Sequence, residues 1–226
     1  MTAPASVGMP PQSDELQDRY FERAVYRSPS HPAVRSYALP KIEYLARALP
    51  LHAQRILDVG CGNGVFTVPL AEQSPRTVGL DRSANMLRQQ PWRQLVRGTA
   101  ETLPFPDRAF TLVFEANLLH HTRDPLAIVH ELRRVSSDYV VLVEPNALNP
   151  LMFMFGLLVK AERGTLRSNR RGLVSLASRA GLHVVSAAAM GMISQNLTPT
   201  ILVPLLKIFD REFALGEYLV VIARRT

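Results

Sequence analysis

The chain has 226 residues, long enough for one sizeable hydrophobic core and short for two. Its single cysteine, Cys61, excludes an internal disulfide or a thiolate metal cluster, so structural zinc is not expected and a reducing compartment is. The net charge of +7 raises nucleic acid and lipid headgroups as partner classes, although most arginines are scattered and the one dense group is Lys160, Arg163, Arg167, Arg170 and Arg171.

Residues 1–15 are rich in proline and small polar residues and lack the basic start and apolar core of a secretory signal; a disordered arm is expected there. Residues 16–50 read as N-terminal helices, with Leu16, Tyr20, Ala24 and then Ile42, Leu45, Ala46 and Leu49 three or four apart, broken at 28–32 by two prolines. Short β-branched or aliphatic runs at 55–59, 77–80, 94–97, 110–114 and 139–143 then alternate with helical patterns at 65–73, 83–90 and 125–135. Strands separated by helices predict a parallel sheet covered on both faces, because parallel neighbours need a crossover. The tail differs. Two very apolar segments introduced by proline, 150–160 and 199–209, accompany two strand-like runs, 182–189 and 217–223, expected to close the sheet as an antiparallel edge. No apolar stretch approaches the roughly 20 residues of a membrane span, and a cytoplasmic protein is expected.

The run from Arg55 to Phe66 is a strand passing through the turn Asp58-Val-Gly-Cys-Gly-Asn-Gly64 into a helix, the place where open α/β sheets bind ligands. A dinucleotide fingerprint needs a third glycine where this chain has Val65. Asp58 ends the strand two residues before Gly60, and a carboxylate there repels a pyrophosphate and favours a ligand with cationic groups. An ammonium-bearing sulfonium such as S-adenosylmethionine meets that demand.

ILDVGCGNG resembles the first motif of class I S-adenosylmethionine-dependent methyltransferases, and VGLDRSANML the second, whose acid, matched by Asp81, binds ribose hydroxyls. GTAETLPFPDRAFTLVFEANLLHH resembles the third and fourth motifs of the small-molecule branch typified by ubiquinone- and menaquinone-biosynthesis-like enzymes. The resemblance covers about residues 54–146. It implies a Rossmann-like three-layer α/β sandwich with a mostly parallel seven-stranded sheet, in one domain: a cofactor-binding core over 51–146, then acceptor-side helices and closing strands over 147–226. It also implies that Asp58, Gly60 and Gly62 face the methionine part and Asp81 the ribose. Arg82, Met86, Thr99, Ala100 and Glu101 would surround the adenine, and Glu115 joins the cofactor set. Thr99 departs from the family, which usually has aspartate there.

Methyl transfer from a sulfonium is an in-line displacement, so a general base is optional and no metal is expected. Candidates at the ends of strands four and five are Glu115, His120, His121, Glu144 and Asn146, all expected to face the cleft, with His120 and Glu144 as the catalytic pair. The apolar segments 150–160 and 199–209 are expected to cap the cleft and form a pocket for an apolar or amphiphilic acceptor, with the 160–171 basic cluster beside it for an anionic group, leaving peripheral membrane contact open. A nucleic-acid methyltransferase is the weaker alternative, because the stretch after strand four, Glu115 to His120, has neither aromatic nor proline to grip a flipped base. A non-catalytic S-adenosylmethionine-binding module is the other, with Thr99 as its hint.

Overall fold

The computed structural model describes residues 25–226. The expected arm over 1–15 and the first helix up to residue 24 lie outside the described residues, and residues 25–28 are not helical. Strands β1 (Ile56–Val59), β2 (Thr77–Asp81), β3 (Leu95–Arg97), β4 (Phe110–Ala116), β5 (Ser136–Pro145), β6 (Leu182–Met190) and β7 (Tyr218–Arg225) form one sheet in the order β3-β2-β1-β4-β5-β7-β6. The pairs from β3 through β5 are parallel, and β7 lies antiparallel between β5 and β6.

That placement refines the expected antiparallel edge. Only β7 runs against the sheet, while β6 is the edge strand and shares the direction of β1 to β5. The burial patterns give the reason. Tyr218 to Ala223 are buried on both faces and need a neighbour on each side, whereas β6 alternates exposed and partly buried residues over its first half, which an edge tolerates.

Helices cover both faces. One core joins β1, β4, β5 and β7 to helix α1 (Pro32–Ala48), to α2 (Thr67–Gln73) and, beyond the segments predicted as regular helix, to α5 (Pro150–Leu158) and the four-residue α7 (Val203–Leu206). The other packs α4 (Pro125–Val135) and α6 (Arg170–Arg179) against the opposite face; the short α3 (Ala84–Arg88) follows β2. In α4, Pro125 opens the first turn, Asp124 accepts a hydrogen bond from the Ala127 backbone N–H at 3.0 Å, and Ile128, Val129, Leu132 and Val135 form the buried stripe. Each such stripe removes apolar surface from water at about 25 cal/mol per Å², which holds the layers together.

The connection from β3 to β4 passes over β2 and β1, so the sheet order reverses between β1 and β4. Loops leave in opposite directions there, opening a crevice beyond the carboxyl ends of β1, β2 and β4.

Candidate functional site

The crevice holds a cavity of about 530 Å³, within the usual range for small-molecule sites. Asp58, the third residue of β1, is 2 % exposed and accepts a hydrogen bond from the Thr67 hydroxyl at 2.7 Å. Burial pushes its carboxyl up to about 7, with the Thr67 hydrogen bond opposing the shift and the charge of Asp81 adding to it. Asp81 ends β2. Its Oδ2 accepts from the Gly62 backbone N–H and its Oδ1 from that of Ser83, both at 2.8 Å, so the acid ties the glycine loop to the start of α3. Burial raises its pKa against the pull of those hydrogen bonds.

The Gly60 and Cys61 backbone N–H groups both donate to the Leu80 carbonyl, at 2.8 and 3.0 Å, which folds the loop back over the end of β2. Gly60 and Gly62 have φ of +72° and +52°, a left-handed backbone that favours glycine. A Cβ on Gly62 would meet nothing within 4 Å, so the loop backbone faces open space where a ligand can approach.

Of the residues expected to hold cofactor, Asp58, Gly60, Gly62 and Asp81 line this cavity, as do Arg82, Met86, Ala100 and Glu101. Thr99 does not; it is exposed and pairs with Thr102 in an isolated bridge, while Gly98 and Ala100 on either side reach the lining. Glu115 does not either. The next residue, Ala116, lines the cavity, and strand alternation turns Glu115 into the interior beside Glu144, where burial and that neighbour push its carboxyl pKa well up.

His120 and His121 line the cavity, but Glu144 and Asn146 are behind it, a correction to the expectation that all face the cleft. Glu144 turns under the loop after β4, where its Oε1 accepts from the Leu118 and Leu119 backbone N–H groups, both at 2.9 Å, and its Oε2 from that of His120 at 3.2 Å. It also lies 2.7 Å from His120 Nδ1. These are the orphan donors at the start of a one-turn 3₁₀ helix, Leu119–His121, and a buried carboxylate is their natural cap. Asn146 braces the chain near β7 by donating to the Gly216 carbonyl at 2.8 Å.

The sequence reading passed over Glu162, hidden among the basic residues of the 160–171 cluster. It sits on a 3₁₀ run, Lys160–Arg167, 3.3 Å from His120 Nε2. Burial works against a charge on His120, but Glu144 and Glu162 outweigh it and raise the imidazole pKa to about 10. His121, stacked on it at 3.9 Å between ring centroids, is driven down to about 3 by burial and by the His120 charge. His120, His121 and Glu162 also bring three ligand-type atoms within 4.8 Å of one another.

Also missed was the clasp at the cavity mouth. The Arg27 backbone N–H donates to Asn196 Oδ1 at 3.2 Å, its guanidinium to the Thr198 carbonyl at 2.6 Å, and Asn63 donates to the Arg27 carbonyl at 3.0 Å. Tyr26 and residues 194–197 thereby become walls of the glycine-loop cavity. From the apolar tail, Met152, Phe155 and Val159 reach the lining, whereas 199–209 and the 160–171 arginines do not.

Residues 57–141 match the family model described as a methyltransferase domain. Over that stretch, less than half of its length, the chain is similar to methyltransferase domains. Among relatives, a malonyl-[acyl-carrier protein] O-methyltransferase of Legionella pneumophila is 38 % identical over 96 residues, 38 % of this chain and 34 % of that protein. A demethylmenaquinone methyltransferase of Lysinibacillus sphaericus is 40 % identical over 91 residues, 36 % of this chain and 39 % of that protein. The likeness thus spans well under half of either relative's length. The whole fold is shared more widely: the crystal structure of an S-adenosylmethionine-dependent methyltransferase from Thermotoga maritima superposes with a TM-score of 0.64 over 94 % of this chain and 96 % of that one, at 18 % identity. The matched stretch ends within β5, so α5 and everything after it lie beyond the similarity.

Proposed function

We propose that the chain transfers the methyl group of S-adenosylmethionine to a small apolar or amphiphilic acceptor. The observation that carries this reading is one cavity lined both by two carboxylates on adjacent strands, the buried Asp58 and the half-buried Asp81, and by the apolar side chains of Met152, Phe155, Val159 and Leu197. A carboxylate buried as deeply as Asp58 raises the cost of folding unless a ligand pairs with it. The cofactor has the matching groups, an ammonium for Asp58 and ribose hydroxyls for the Asp81 carboxylate. The backbone at Gly60 and Gly62 admits the amino-acid end, and Arg82, Met86, Ala100 and Glu101 surround the base.

When bound, the sulfonium supplies an electrophilic methyl group that reacts by in-line displacement. The chain's own residues position the acceptor and exclude water. With both ring nitrogens engaged by carboxylates, His120 is an imidazolium at neutral pH and takes no proton from the acceptor. It and Glu144 are positioning residues that fix the 118–121 turn over the cavity. An acceptor whose reacting oxygen or carbon is already acidic suits a site without a strong base. Two relatives are named for acceptors with an apolar or acyl part, malonyl-[acyl-carrier protein] and demethylmenaquinone.

Incubating the purified chain with methyl-labelled S-adenosylmethionine and lipid-soluble metabolite fractions should carry label into an organic-extractable product. Label that moves into RNA or DNA instead, or that stays on bound cofactor with every fraction, overturns the proposal.

A further inference from the structure

Helix α5 has two apolar sides. Met152, Phe155 and Val159, three and four residues apart, turn toward the cavity. Leu151, Phe153, Met154, Leu157 and Leu158 turn outward and are 44–77 % exposed. The segment 200–209 repeats this arrangement. Val203 and Leu206 pack inward on the same core as Met152 and Phe155, while Ile201, Leu205 and Ile208, spaced by four and three, are 62–86 % exposed. Both segments therefore cover the same side of the sheet. The start of α5 is tied to the chain before β7, where the Asn149 amide donates to the Leu215 carbonyl at 2.7 Å and Leu215 adds another exposed apolar side chain. A concentration of exposed apolar side chains on this scale marks an interaction surface.

Charge selects the occupant. The two segments of this face with their flanks, residues 148–167 and 200–215, hold five lysines and arginines against three acids. Of the acids, Glu162 is turned inward to His120. Lys160 and Arg163 follow α5 directly, Lys207 lies within the second segment and Arg211 just after it, all exposed. A second copy of the chain would bring the same positive charge against this face, whereas an anionic lipid surface offers both an apolar interior and the opposite charge.

We propose that the outer face of α5 and the 200–209 segment docks on an anionic membrane surface, so that an apolar acceptor passes from the bilayer along α5 into the cavity. The route rests on the acceptor class proposed above; the docking itself does not.

The test is flotation of the full chain with vesicles of phosphatidylcholine alone or mixed with phosphatidylglycerol. Binding to the anionic vesicles should exceed binding to the neutral ones by about tenfold and weaken with salt. Combining Leu158→Ser, Ile201→Ser and Ile208→Ser should lower it about tenfold or more, with thermal stability and S-adenosylmethionine affinity kept. Lys207→Glu with Arg211→Glu should remove the preference for anionic vesicles. Failure of the native chain to bind anionic vesicles overturns the proposal. So does light scattering that shows a dimer broken by the triple serine variant, since the face would then be a self-contact. Transfer to a detergent-solubilised acceptor without vesicle binding would sink the docking and leave the methyltransferase reading intact, and vesicle binding without cofactor binding would do the reverse.

Discussion

Asp58 sits where burial and chemistry oppose each other. Its pKa near 7, against an ordinary 3.8, means the folded chain holds the proton more tightly than the unfolded chain does. The stability gained from that proton is full below about pH 4 and is lost as pH rises through about 7. An ammonium ligand reverses the preference, because it pairs only with the carboxylate. Cofactor affinity should therefore rise about fivefold to tenfold between roughly pH 6 and pH 7.5, and calorimetry on Asp58→Asn should find weaker binding with that slope gone. A native affinity flat across this range would separate Asp58 from the ammonium. Asp58 and Asp81 were legible in the sequence because strand-end acids beside glycines have few uses besides a ligand. Glu115 and Glu144 were misjudged as cleft-facing because composition does not say which strand parity faces the cavity; Ala116 and Pro145 take those places.

At the scale of elements, the strands and the helices between them were readable because buried runs and amphipathic stripes each carry their own period. The 3₁₀ run at 160–167 and α6 were not. Their arginines read as a charged cluster and conceal Ala161, Thr165, Leu173 and Ala177, which are buried beneath it. The run earns its place through Gly164, where a Cβ would lie 1.7 Å from the His120 carbonyl oxygen. Gly164→Ala must push the run off the 118–121 turn and part Glu162 from His120. Denaturant unfolding should show a loss of about 1 to 3 kcal/mol, the usual cost of overpacking a closed contact. Glu144→Ala should cost more, about 3 to 5 kcal/mol, since it strips the cap from three backbone N–H groups and leaves the His120 charge buried beside one carboxylate. A neutral effect of either substitution would mean that this turn is held by something else.

For the whole molecule, the sequence foretold a seven-stranded α/β sheet but not the insertion of β7 between β5 and β6, because ladder order is set by which strands are apolar on both faces once packed. The reversal of strand order between β1 and β4 places the acids of β1 and β2 at one crevice, and the tail adds an apolar wall and a basic, apolar outer face. No helix among the described residues is long and apolar enough to cross a membrane. The account turns on the cradle built by Asp58, Asp81 and the glycine loop. Its most direct test is calorimetric titration of the native chain and of Asp81→Ala with S-adenosylhomocysteine, the product that keeps both ammonium and ribose. Saturable binding by the native chain, weakened roughly 5- to 150-fold by the substitution for a loss of about 1 to 3 kcal/mol, is the expected result. No binding by the native chain, or an affinity indifferent to Asp81, would contradict it.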